Sequence, residues 1–469
     1  MGVNPLLKTL NTHPSRYFLR KLIGKKTKSG KNLLEEYLYC YFSGTVTEET
    51  KCFLNYKTNL FNFFMHVFEK TIIKPPNKIS KYDSKSATKY SKAVSLFLKS
   101  IAKYGFKKPM VYTSPIYIIW YITNECNLKC LQCSEDSGPN KKDELTIEEK
   151  YNIVDQIADL GCIILHFAGG EPLISKDFYK IAEYASKRGL ILKLSTNGTL
   201  ITQSVAKRLK NIGIDSVLIS LDGAKKGTHD KIRGIPGSYE RVIQGIKNCV
   251  KEEIPVHMSM TLTQYNYQEI DEVIELSKNL GINFGLVDFY PVGRGSKNVD
   301  FLIISPEMRY KIFKEIAEKS LQDKNIESLI FSPLFLPFMN ELKPVAVDAF
   351  SNNVSIDFTQ FRNLYFSGCC AGRMYFRIDS NGDIKPCGYI DIVVGNTKRD
   401  KIIDVWNNSE VFKTLRSREN LKGNCGSCKD KYVCGGCRAS AYNYFKDLTA
   451  PDPGCIKNIK YWEEIKNKV

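Results

Sequence analysis

Three cysteines stand within one octet, Cys126-Asn127-Leu128-Lys129-Cys130-Leu131-Gln132-Cys133. Directly before them runs Ile116-Tyr117-Ile118-Ile119-Trp120-Tyr121-Ile122. Its length and its β-branched and aromatic character predict a buried strand. Thiolates on the loop that follows a strand suit a soft metal centre. Three are one fewer than the usual four ligands of an iron–sulfur cluster, so one iron would remain open to another ligand. Taken alone, the triplet also fits a zinc site that lacks a ligand, or three buried thiols.

With 469 residues the chain exceeds one ordinary core, and two or three domains are expected. Fifteen cysteines over that length do not make a disulfide scaffold. Met1 to Asn11 holds no apolar signal core, the start lacks the Ser or Thr of a myristoylation signal, and no run of about 18 apolar residues occurs. A reducing cytoplasm is therefore expected, where clustered cysteines bind metal or react. Cys40, Cys52, Cys162 and Cys249 stand alone and read as buried thiols.

Residues 1–110 carry 21 Lys and Arg against 6 Asp and Glu, a net of +15 out of +18 for the whole chain. Within this extension Arg16–Ile23 predicts a short basic amphipathic helix. Leu60–Phe68 is an apolar patch, stopped by Pro75-Pro76, and Lys78–Lys92 reads as a linker or exposed helix. A helical cap with a solvated basic face is one reading. The other is a surface for an acidic peptide or an anionic membrane. None of the nucleic-acid signatures is present, which makes RNA the weakest partner. His13 and His66 have no ligand-like neighbours.

From Ile116 strands and helices alternate. Strands are predicted at Ile116–Ile122, Ile163–Phe167, Ile191–Ser195, Ser216–Leu221, Val256–Leu262 and Phe284–Phe289. Helices fall between them at Ile147–Leu160, Lys176–Lys187, Gln203–Asn211, Tyr239–Lys251 and Tyr267–Asn279. Such alternation means a parallel sheet with helical crossovers, either open or an incomplete barrel, with chemistry at the strand ends. Those ends read Ala168-Gly169-Gly170-Glu171-Pro172, Ser195-Thr196-Asn197-Gly198, Ser220-Leu221-Asp222-Gly223 with His229 to Gly234, and Tyr290-Pro291-Val292-Gly293-Arg294-Gly295. Paired glycines let backbone approach a ligand closely, and a carboxylate beside them could accept an ammonium.

Further cysteines follow near the C-terminus. Cys369, Cys370 and Cys387 flank a predicted hairpin at Asn381-Gly382-Asp383. Cys425, Cys428, Cys434 and Cys437 are spaced x2, x5 and x2, and Cys455 follows. Paired C-x2-C knuckles also serve zinc, but zinc needs only four of these eight thiolates.

In order and spacing, the triplet and the strand-end motifs resemble the radical S-adenosylmethionine (SAM) superfamily. Cys369 to Cys455, with Cys434-Gly435-Gly436-Cys437-Arg438-Ala439, resemble its appended SPASM domain. The resemblance implies an α/β fold: a partial (β/α)6 TIM-like barrel, a helical basic N-terminal extension and a small Cys-rich SPASM domain. The corresponding bounds are 1–110 for the extension, 111–330 for the core, 331–368 for a bridge and 369–469 for the cluster domain.

The resemblance also assigns roles. Cys126, Cys130 and Cys133 would hold a [4Fe-4S] cluster whose open iron binds SAM. Gly169, Gly170 and Glu171 would hold the SAM amino group. Ser195 or Thr196, with Ser220, would lie near its ribose and carboxylate, Asp222 belongs to the same site, and Arg233 would pair with the carboxylate. Gln132 departs from the family pattern, which often has an aromatic residue there, near the adenine. Two auxiliary [4Fe-4S] clusters would follow, one on Cys370, Cys387 and Cys437 with Cys369 as the doubtful member, the other on Cys425, Cys428, Cys434 and Cys455.

The implied activity is reductive cleavage of SAM to a 5′-deoxyadenosyl radical that abstracts hydrogen from a C–H bond, fed by an electron donor such as ferredoxin or flavodoxin in an anaerobic setting. Relatives with SPASM domains mostly modify peptides or proteins. A branch with similar C-terminal motifs, including Ala450-Pro451-Asp452-Pro453-Gly454-Cys455, works on tetrapyrroles in haem synthesis. A non-catalytic metal-binding protein would have lost the SAM motifs, and here they are intact. No acid, base or nucleophile stands out.

Overall fold

The structure, a computed structural model, describes residues 12–27, 32–45, 84–105, 107–138, 143–322, 329–341 and 368–465. The apolar patch Leu60–Phe68, the Pro75-Pro76 stop, Cys52 and His66 lie outside them, as does most of the 331–368 bridge. The described residues fall into two compact units, one up to Ile116 and one from Tyr117 onward.

In the first unit three helices, His13–Gly24, Leu33–Ser43 and Ser84–Tyr104, pack together. Leu34, Leu38, Phe42, Leu98 and Ile101 are buried between them. Arg16 and Arg20 donate to the carbonyls of Ala102 and Lys103, which end the third helix without intrahelical partners. The sequence alone predicts a linker or exposed helix up to Lys92, but the helix there runs to Tyr104 and buries Val94, Leu96, Phe97 and Leu98. No described helix is long and apolar enough to cross a membrane.

The second unit is built on one ten-stranded sheet. Six parallel strands come first: β1 (Tyr117–Thr123), β2 (Ile164–Gly169), β3 (Ile191–Thr196), β4 (Ile214–Ser220), β5 (Val256–Leu262) and β6 (Gly285–Asp288). They are joined by helical crossovers, as the alternation requires. Two further parallel strands extend the sheet, and their pairings were not foreseen. One is β7 (Leu329–Phe331), beside β6. The other is β8 (Tyr375–Ile378), which returns from the Cys-rich region to pair with β1 in the register Tyr117↔Tyr375 and Trp120↔Ile378. The predicted hairpin joins β8 to β9 (Asp383–Lys385), and β10 (Gly395–Asn396) closes that edge. The barrel stays partial.

Period-2 alternation decides which side chains can reach a ligand. Ile118, Trp120 and Ile122 of β1 are fully buried. Trp120 stacks on Phe167, whose ring meets Phe178 of the next helix, so this set faces the helical layer. Tyr117, Ile119 and Tyr121 face the other way, into the barrel, together with Tyr375 and Arg377 of β8. The Cys-rich domain thus supplies part of the barrel wall.

Candidate active site

Cys126, Cys130 and Cys133 lie on the loop that leaves β1. Residues from other strand ends hold this loop. The amides of Lys129 and Leu131 donate to the carbonyls of Arg233 and Ile232. Arg294, after β6, donates to the carbonyl of Cys130 at 3.1 Å and to Asp136 at 2.9 Å. Two sulfurs already accept hydrogen bonds: Cys126 from the Leu128 amide at 3.4 Å, and Cys130 from Arg233 at 3.7 Å. Burial pushes the Cys126 thiol up to about 11 and the Cys130 thiol upward as well. Bound to iron, these sulfurs would be thiolates, and donors aimed at them suit that state.

The Gly169-Gly170-Glu171 stretch closes against the same loop. Gly170 donates to the Thr123 carbonyl at 2.8 Å and Glu171 to that of Glu125 at 2.7 Å. Gly169 has φ near +138°, and a Cβ on Gly170 would run into the Glu125 carbonyl, so only glycine fits at both. The Glu171 carboxylate is fully buried. It accepts from Thr196 at 2.7 Å, the Asn197 amide at 2.8 Å and the Leu173 amide at 3.2 Å. Burial nevertheless pushes its pKa up to about 7. Of the two neighbours on β3, Thr196 braces Glu171, whereas Ser195 bonds His166 at 2.8 Å on the barrel side. Ser220 ends β4 half-buried, opposite Ser259.

Asp222, expected at the site from its strand-end motif, is a hub whose partners the motif does not reveal. Fully buried, it accepts from Gln132 at 2.6 Å, Arg233 at 2.7 Å and the Thr261 amide at 2.8 Å. Burial works against the charge on Arg233, but Asp222 and the Cys130 sulfur outweigh it and raise its pKa. One terminal nitrogen of Arg233 is thus engaged by Asp222 and the other by Cys130, while Nε is buried without a partner. Arg233→Ala would leave Asp222 buried beside an incomplete set of donors. It is expected to cost about 3–5 kcal/mol of stability, read by denaturant unfolding. A loss below about 1 kcal/mol would show that the pair is dispensable.

The C-terminal cysteines form two groups. Cys369, Cys387 and Cys437 share one buried cluster with Tyr290 and Ala439, and Tyr375 and Tyr389 pack against it. The Tyr290 and Tyr375 hydroxyls lie by the sulfurs of Cys437 and Cys387 and favour their thiolate forms. Burial, then the Cys369 sulfur, pushes Cys387 up to about 12. The Cys370 sulfur meets the Gly368 carbonyl at 3.3 Å and Arg373 at 3.7 Å. Both members of the adjacent pair therefore stay close to the thiols of this group.

Cys425, Cys428, Cys434 and Cys455 line one cavity. Their sulfurs receive the amides of Asp452 (3.4 Å, to Cys425), Asp430 (3.4 Å, to Cys428) and Gly436 (3.2 Å, to Cys434), and Lys457 reaches Cys428 at 3.3 Å. Among the described residues no three His, Cys, Asp or Glu side chains gather into a single-ion site. The two parts of the unit are bonded directly: Arg377 of β8 holds Glu135, two residues past Cys133, with Nη2 to Oε2 at 2.7 Å. Sequence reasoning missed this pair, together with Arg294 and the Gln132–Asp222 contact. Each joins segments from 90 to 242 residues apart, leaving no local signal.

A profile described as the radical SAM superfamily matches residues 120–277, and one described as an iron–sulfur cluster-binding domain, SPASM, matches 369–429. An AdoMet-dependent heme synthase of Methanosarcina barkeri is 34% identical over 348 residues, 73% of this chain and 97% of its own length. The mycofactocin maturase MftC of Mycobacterium tuberculosis is 29% identical over 350 residues, 73% of this chain and 83% of its own length. Among solved structures, Streptococcus suis SuiB bound to its precursor peptide SuiA superposes with a TM-score of 0.65 at 18% identity, over 91% of this chain and 93% of that one, a likeness of fold.

Proposed function

The chain belongs to the radical SAM superfamily and carries a SPASM domain, and from that premise we propose that it modifies a C–H bond of a peptide or protein substrate. It is an enzyme that binds SAM and iron–sulfur clusters. The observation that carries the site is the loop of Cys126, Cys130 and Cys133, closed by Gly169–Glu171 on one side and by Asp222 and Arg233 on the other. In this reading the three cysteines hold the cluster that binds SAM, and Gly169, Gly170, Glu171, Ser195, Thr196, Ser220, Asp222 and Arg233 form its surroundings.

When bound, the cluster and SAM supply a 5′-deoxyadenosyl radical. The chain's own residues position the substrate carbon and exclude water. Tyr117, Tyr121, Tyr375 and Arg377 share the inner face of β1 and β8 and form part of the barrel wall. Two auxiliary [4Fe-4S] clusters fit the two cysteine groups, the first on Cys369, Cys387 and Cys437 and the second on Cys425, Cys428, Cys434 and Cys455. A low-potential protein such as ferredoxin or flavodoxin would supply the electron.

The peptide reading draws on the similarity to the maturase and on the +15 charge of residues 1–110, which suits an acidic partner. A second reading, chemistry on a tetrapyrrole, draws on the 34% identity to a heme synthase over nearly all of that protein. To separate them, the reconstituted enzyme is reduced anaerobically with SAM and offered either iron coproporphyrin III or acidic peptides encoded beside its gene. A SAM-dependent mass change on a peptide is the expected result. Turnover of the porphyrin alone would overturn the peptide reading.

A further inference from the structure

Arg418 follows the helix Glu410–Arg416 and is only 1% exposed. A guanidinium buried so deeply is costly unless a counter-charge accompanies it. Both of its hydrogen-bond acceptors are neutral, the carbonyls of Leu415 at 3.0 Å and Cys369 at 2.9 Å. Its Nε is buried with no partner. Arg373 and Arg438, buried to the same degree, add like charge close by.

The groups whose negative charge would favour this guanidinium are the thiols of Cys369 and Cys370. The carbonyl that Arg418 holds is that of Cys369, which shares its buried cluster with Cys387 and Cys437. On the other side the arginine lies against the turn from Cys434 to Cys437, where a Cβ on Gly435 would stand 2.5 Å from Nε. Arg418 is thus wedged beside the first group of cysteines and against the segment that leads to the second. A [4Fe-4S] cluster held by thiolates is a net anion, and each electron it takes up adds to that charge. A fixed cation at its edge therefore favours the reduced form over the oxidised one.

We propose that Arg418 is the buried counter-charge of the first auxiliary cluster and raises its reduction potential. The inference rests on the reading that Cys369, Cys387 and Cys437 hold iron. Arg418 is not a ligand of that cluster. Its hydrogen bonds go to carbonyls, and it acts on the iron through its charge. A merely structural role makes a different demand, because capping the carbonyls of Leu415 and Cys369 requires donors and no charge.

The test compares the reconstituted holoenzyme of wild type, Arg418→Gln and Arg418→Lys. Glutamine keeps a donor and drops the charge, whereas lysine keeps both. Iron content is measured first, then the midpoint of each cluster in an anaerobic redox titration followed by electron paramagnetic resonance. Signals lost in Cys387→Ala identify the first auxiliary cluster. In Arg418→Gln its midpoint is expected to fall by the equivalent of about a tenfold change in the oxidised-to-reduced ratio, about 59 mV for one electron. Arg418→Lys is expected to stay near wild type. Loss of about four irons in Arg418→Gln, but not in Arg418→Lys, would equally support the proposal, since assembly would then depend on the charge. The proposal fails if Arg418→Gln keeps its iron without a fall in midpoint, or if Arg418→Lys changes as Arg418→Gln does. Absence of auxiliary iron in the wild type would overturn the cluster reading itself, and this proposal with it.

Discussion

Replacing Cys126, Cys130 and Cys133 together by Ala is expected to abolish release of 5′-deoxyadenosine from SAM while the protein stays folded. The three side chains lie on a loop whose backbone is fixed independently, by the carbonyls of Arg233 and Ile232 and by Arg294. If these thiols hold the SAM-binding cluster, removing them deletes its ligands and leaves the scaffold of the loop. Three [4Fe-4S] clusters hold about twelve irons per chain, so the triple variant should retain about eight. Anaerobic reconstitution followed by iron, sulfide and zinc analysis reads this out. Continued formation of 5′-deoxyadenosine would show that the SAM-binding cluster is elsewhere. About four irons in the wild type, with one or two zinc ions, would make the C-terminal groups zinc sites and leave the barrel assignment standing.

The second large effect separates two adjacent cysteines. Cys369→Ala is expected to remove about four irons by disassembling the first auxiliary cluster, whereas Cys370→Ala should leave the iron content unchanged. The difference follows from their partners. Cys369 faces Cys387 and Cys437 in a buried group that also holds Tyr290, while Cys370 turns to Arg373 and the Gly368 carbonyl. If three cysteines hold that cluster, one of its irons would be left to another ligand. Iron loss in Cys370→Ala but not in Cys369→Ala would reverse the assignment.

Much of this architecture could be read in the sequence because its signals are local. The run Tyr117–Thr123 announces its strand through β-branched and aromatic residues, and the helices between the strands through 3.6-residue periodicity. The Gly169-Gly170 pair announces a close backbone approach, since a side chain there would meet the carbonyls of Thr123 and Glu125. The cysteine spacings mark where soft ligands cluster. Spacing gives membership, however, without partners: Cys369 and Cys370 are equivalent in the sequence, yet only the fold gives the Cys370 sulfur the Gly368 carbonyl and Arg373.

What only the tertiary structure decided is how distant segments share work. β8 is four residues long, and nothing in Tyr375–Ile378 says that it will pair with β1 and put Arg377 within reach of Glu135. Arg233 reads as a ligand for a carboxylate outside the chain, and the fold also sets it against Asp222 and the Cys130 sulfur. Gln132 reads as a departure from a pattern, yet its amide is aimed by a carboxylate 90 positions away. The physical reason is common to all three. A strand's face or a loop's reach is set by bonds between neighbours in sequence, but the partner of a buried charge is set by whichever chain segment closes over it.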